Sequence, residues 1–100
     1  MSVRPPVKPG DTIYIGKGLS ARKAIVSLVY TREEWVDRVE AVYLDNKNIP
    51  IAEDFRWDGT SWQFASADVD ATYAERSERL KRYADMLYSE LPSRRRRRRQ

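Results

Sequence analysis

The sequence predicts a mainly β domain finished by one long amphipathic helix. Three observations predict it. Short β-branched and aromatic runs alternate with turn residues from Thr12 to Phe64. An aromatic hairpin brackets Asp58-Gly59. From Asp70 to Leu91, apolar and small residues recur by threes and fours on one helical face.

The chain has 100 residues, enough for one domain. It divides into a proline-rich extended arm (1–9), a folded body (10–91) and an arginine-rich tail read as disordered (92–100). Lys8-Pro9-Gly10-Asp11 is turn chemistry. It leads to a strand, Thr12-Ile13-Tyr14-Ile15, with Ile13 and Ile15 on one face. Gly16 and Gly18 break it, and the stretch to Lys23 reads as a loop. Ala24 to Tyr30 is apolar on both faces, as a strand covered on both sides would be. Thr31 to Asp37 reads as a turn containing one helical turn. In the next strand, Arg38 to Leu44, Val39, Ala41 and Tyr43 share one face, with Val42 and Leu44 opposite. Asp45-Asn46-Lys47-Asn48 turns the chain. Pro50, lacking an N–H, points to an edge or bulge. Phe55 and Trp57 leave the hairpin turn, and Trp62 and Phe64 return from it. These four rings read first as core, with an exposed stacking platform or peptide groove as the alternative.

The helix spans 70–91. Its face is Tyr73, Ser77, Leu80, Ala84, Leu87 and Leu91. Asp68 or Asp70 caps it, Glu75–Arg79 and Glu78–Arg82 brace its surface, and Pro92 ends it. Twenty-two helical residues extend about 33 Å, longer than a small barrel is wide. The C-terminal half therefore offers a face for a second copy, a homodimer through 70–91.

Charge is unevenly placed. The chain carries 19 Lys+Arg against 15 Asp+Glu. Six of the cations are Arg94, Arg95, Arg96, Arg97, Arg98 and Arg99, and without them 13 face 15, a net −2 for residues 1–93. The run reads as a phosphate-contacting arm for RNA or DNA, a dock for an anionic membrane or an acidic protein, or a solvated end. With neither Cys nor His, thiolate chemistry, disulfides and an imidazole base are excluded. Carboxylates alone make a zinc site improbable, and no cofactor or metal is expected. No serine has a His partner, and no phosphate-loop glycine pattern exists. Glu53 and Asp54 are neighbours on a strand and point to opposite faces. Met1 to Pro6 is followed by no apolar run, and no segment reaches membrane-span length, so the expected location is the cytoplasm.

Lys8-Pro9-Gly10-Asp11-Thr12-Ile13-Tyr14-Ile15, then Gly16 and Gly18, then Ala24-Ile25-Val26, resembles the opening of SH3-like barrels, where a Gly-Asp turn starts the first strand. The same stretch partly matches a KOW-type motif, but Ala21-Arg22-Lys23 stands where that motif has glycine. The resemblance implies a five-stranded antiparallel SH3-like barrel, or a curved sheet, plus the helix. It does not fix function. The expected function is a non-catalytic module binding a protein partner, with nucleic-acid binding through the tail and the first loop as the alternative. The candidate binding surface is Tyr14, Lys17, Arg22, Lys23 and Trp35, placed in loops or on outward positions.

Overall fold

The computed structural model describes residues 4–16, 21–65 and 73–91. Five strands and a helix follow in order: β1 (Thr12–Ile15), β2 (Arg22–Val29), β3 (Arg38–Leu44), β4 (Pro50–Trp57), β5 (Trp62–Phe64) and α1 (Tyr73–Ser89). A single 3-10 turn, Glu33–Trp35, joins β2 to β3. The strands form a closed barrel in sequence order.

Closure corrects the expectation of a purely antiparallel sheet. The β1–β5 seam is parallel, with one register pair, Ile15↔Trp62, and Gly16 N donating to Trp62 O. An odd number of strands running alternately up and down must meet its first strand in parallel. Closure also removes the edge foreseen for Pro50, which instead opens β4 opposite Leu44. A first position tolerates the missing N–H. Arg22 and Lys23 lie in β2 rather than in a loop, paired with Ile15 and Tyr14.

Alternation along the strands sorts the core into two layers. Ile13, Ile15, Ala24, Val26, Val39, Ala41, Phe55 and Trp62 fill the barrel. Ile25 and Val42 face outward, where Tyr83 and Leu87 of α1 cover them, with Leu44, Ala52 and Leu80 alongside. The expected helix face thus holds at Leu80, Ala84 and Leu87, with Tyr83 added. That face is spent on the chain's own barrel. α1 has 17 residues within the expected 70–91. Its proposed caps, Asp68 and Asp70, lie outside the described residues. The helix runs along β3 toward the β3–β4 turn. Tyr88 Oη donates to Asn48 O (3.2 Å), and Glu90 pairs with Lys23. It therefore does not project from the barrel.

Turn chemistry is local. Asp45 Oδ1 accepts from Lys47 N and Ile49 N, letting Asn48 take φ +63°. Asp58 Oδ1 does the same for Thr60 N and Ser61 N at the hairpin.

Candidate binding mouth and the acid–arginine layer

At the barrel end where β1 stops and β2 begins, Ile15, Arg22, Tyr43 and Phe64 occupy inward-facing positions. With Gly16, Asp45, Asn46 and Gln63 they line an open recess of about 420 Å³. A small barrel closes along its strands but not at its ends, so rings at the last inward positions are only half-covered. Phe64 is accordingly 60% exposed, which corrects its assignment to the core. Its ring lies 4.9 Å from Phe55 and 6.1 Å, edge-on, from Tyr43. Phe55 and Trp62 are buried as expected, and Trp57 is partly buried edge-on to Trp62.

Arg22 caps the recess in a fixed pose. Its Nη1 donates to Leu44 O (2.7 Å), its Nη2 to Asn46 Oδ1 (2.9 Å), and its guanidinium lies 5.8 Å from the Tyr43 ring centre. Burial beside Glu53 pushes the Tyr43 phenol up. Asp45 is held below its ordinary value by the N–H of Ile49 and then of Lys47. Two side-chain amides complete the lining. The Asn46 carbonyl is taken by Arg22, leaving its NH2 as a donor. Gln63 Nε2 donates to Ser61 Oγ (2.7 Å), leaving its carbonyl as an acceptor.

Of the sequence-derived candidates, only Arg22 lines this recess. Lys23 lies beside it on the outer face, tied to Glu90. Tyr14 is 59% exposed, as expected, on the outer face of β1. Trp35 is elsewhere and is not exposed as foreseen, because it packs edge-on to Tyr30 at 5.5 Å with Arg32 over its ring. Lys17 and Arg94 to Arg99 lie outside the described residues. A second groove, about 600 Å³, runs between the arm residues Arg4 to Val7 and Tyr30, Thr31 and Val36. Arg4 Nη1 donates to Val36 O across it.

Sequence reading missed a buried polar layer under α1. Glu40 and Asp54, paired across β3 and β4, are both essentially inaccessible. Glu40 accepts from Arg79 Nε (2.7 Å) and Nη2 (3.1 Å) and from Ser27 Oγ (2.6 Å), and pairs with Arg76 Nε at 2.8 Å. Asp54 Oδ1 accepts from Tyr30 Oη (2.6 Å) and Arg76 Nη2 (2.9 Å). A register shift between Val26 and Leu28 places Ser27 beside Glu40. Burial alone would push Glu40 up. Hydrogen bonds from Arg79 and Ser27 and the two guanidinium charges reverse this, holding it below its ordinary value. Burial and the Asp54 carboxylate push the Tyr30 phenol far up. Glu40 is thus kept as an arginine salt, and neither carboxylate lines the mouth. Arg79, expected to brace Glu75, also binds the buried Glu40. A sequence signal did exist, because Glu40 sits in the same stripe as Val42 and Leu44. Arg76 and Arg79 likewise lie on the helix flank that continues to Leu80, Tyr83 and Leu87.

Among the described residues, no cluster of three His, Cys, Asp or Glu side chains could hold a metal ion, and no helix is long and apolar enough to cross a membrane. Family models, curated proteins and solved structures were compared with the chain, and none matches it.

Proposed function

We propose that the chain is a non-catalytic binding module, an SH3-like barrel that takes an extended segment of a protein partner at its mouth. One observation carries this reading: the recess where Tyr43 and half-exposed Phe64 meet an immobilised Arg22 and two amides with open valences. Apolar rings with a few convergent polar groups are what a recognition site needs. The acid–arginine layer supports the same reading, since it locks α1 to the barrel and so fixes the rim. A second copy would have to use a face other than the covered side of α1. The cytoplasm is the proposed compartment, and cell fractionation tests it.

NMR screening of a small-molecule fragment library against labelled protein tests the site. Amide shifts are expected to cluster on Ile15, Gly16, Tyr43, Asn46 and Gln63, and to vanish in Phe64→Ala. Clustering along the arm groove at Tyr30 and Val36 would refute the mouth. The second reading, nucleic-acid binding, is favoured by the six consecutive arginines. It predicts RNA or DNA binding that collapses with salt and is lost when the chain ends at Ser93.

A further inference from the structure

The proline-rich arm takes no part in the mouth. Pro5, Pro6 and Pro9 have φ fixed by their rings at about −65°. Arg4, Pro5 and Lys8 each precede a proline, which holds them out of the helical region. From Arg4 to Pro9, only Val7 escapes both restrictions. Such a sequence prefers the polyproline II backbone, with about three residues per turn and a rise of about 3.1 Å.

Burial follows that period. Arg4 and Val7, three apart, face the barrel: Arg4 Nη1 donates to Val36 O, and Val7 packs against the barrel core. Pro6 and Pro9, also three apart, are exposed. One turn of polyproline II sets them about 9 Å apart along one edge. Both ends of the segment are pinned. The Arg4 contact holds the first. At the second, Asp11 N donates to Lys8 O (3.0 Å), Lys8 N donates to Asp11 Oδ2 (2.9 Å), and Gly10 takes φ +98°. This is the pattern of a type II turn, whose second position suits the fixed φ of Pro9 and keeps it extended. The groove of about 600 Å³ past Tyr30, Thr31 and Val36 leaves open space along one flank of Pro6, where a partner's wall has room to enter.

The chemistry of this ridge selects its reader. Three missing N–H groups prevent the arm from extending a partner's sheet. Among the described residues, no hydrogen bond engages the carbonyls of Pro5, Pro6 or Val7. The arm thus offers flat proline rings and unfilled acceptors. A groove walled by aromatic rings, with indole or phenol donors at its edge, complements both. A segment already held in its bound shape loses little entropy on docking.

We propose that the arm is a second interaction surface, separate from the mouth. Pro6 and Pro9 form a ridge, presented on the barrel, that docks in the aromatic-lined groove of a proline-reading domain of another protein. The chain is then a ligand as well as a receptor.

The test titrates the full chain, isotope-labelled, with a panel of purified SH3, WW and EVH1 domains. At least one is expected to bind, shifting the amides of Val7, Lys8 and Gly10 and leaving those of Trp35 and Val36 in place. Pro6→Ala combined with Pro9→Ala should weaken that binding at least about tenfold. Circular dichroism through a urea titration checks that the double variant folds, and Pro6→Ala alone, outside the turn, should still lose about threefold. No binding by any member of the panel at about 1 mM overturns the proposal. So does binding that the double variant retains. Shifts at Tyr43, Asn46 and Gln63 instead would assign the contact to the mouth and overturn the ridge while keeping the mouth. Movement of Trp35 and Val36 to the positions they take in Val7→Ala would show the arm stripped from the barrel and overturn its presentation there.

Discussion

Replacing Glu40 with Gln tests the acid–arginine layer most directly. The amide keeps the side chain's shape and an acceptor for Ser27 but removes the charge that two guanidiniums share. Arg76 retains Asp54 at 2.9 Å, whereas Arg79 loses the buried carboxylate it pairs with at 2.7 Å. Breaking a buried pair by removing one member costs about 3–5 kcal/mol. The arginines are 22% and 16% exposed, so each head can turn partly to water, which favours the lower end, about 3 kcal/mol. That is a large share of the stability of about 5–15 kcal/mol usual for a domain. With a urea m-value of about 1.5 kcal/mol/M, the midpoint of denaturation should fall by about 2 M. Glu40→Leu combined with Arg79→Leu leaves Arg76 on Asp54 and should recover most of the loss, because well-packed apolar replacements of ion pairs are often neutral. Circular dichroism followed through urea titrations measures all three proteins. A loss below about 0.5 kcal/mol for Glu40→Gln would show that the carboxylate is not held as an arginine salt and would refute the reasoning.

The same group sets the acid response. Its folded-state value lies below the ordinary 4.5, so its contribution is complete above that value and is lost as pH falls through 4.5 toward the depressed one. The wild-type urea midpoint should therefore drop between about pH 5 and 3, and the slope should be shallower in Glu40→Gln, which urea titrations at stepped pH will show. Tyr30→Phe deletes the O–H that Asp54 accepts and should cost about 1–2 kcal/mol, read as a fall of about 5–10 °C in Tm. Gly10 has φ +98° and donates its N–H to Val26 O; Gly10→Ala meets no neighbouring atom but should still cost about 1 kcal/mol through backbone strain alone, measured by chemical denaturation.

Local chemistry made much of the fold readable. Strand alternation identified the faces of β1 and β3, Asp58-Gly59 located the hairpin, and the spacing through Leu80, Ala84 and Leu87 identified α1. The features that were not readable are those decided by distant partners. The sign of the β1–β5 seam depends on closure between residues 47 positions apart, Ile15 and Trp62. The burial of Glu40 depends on guanidiniums from a helix far along the chain. A lone acid in a strand reads as solvent-facing because nothing near it in sequence supplies its counter-charge. Of the site, Arg22 was legible as a loop-like cation, but Tyr43 was placed only on the face it shares with Val39 and Ala41, and Phe64 was read first as core. Alternation shows which way a ring points and not whether the barrel end above it is open.

The seam between β1 and β5 also bears on how the chain acquires its shape. The pairings of β1 with β2, β2 with β3, β3 with β4 and β4 with β5 each join neighbours in sequence and can form progressively. Only the last contact, between the first strand and the fifth, encloses the whole interior, and it rests on a single register pair. Loop-closure entropy for that contact must be met before the buried apolar layer repays it. Closing the cylinder is thus expected to be the late event of folding. Substitutions at Ile15 or Trp62 should then chiefly speed unfolding, while those at Val39 or Ala41, in the middle of the progressive ladder, should slow folding itself.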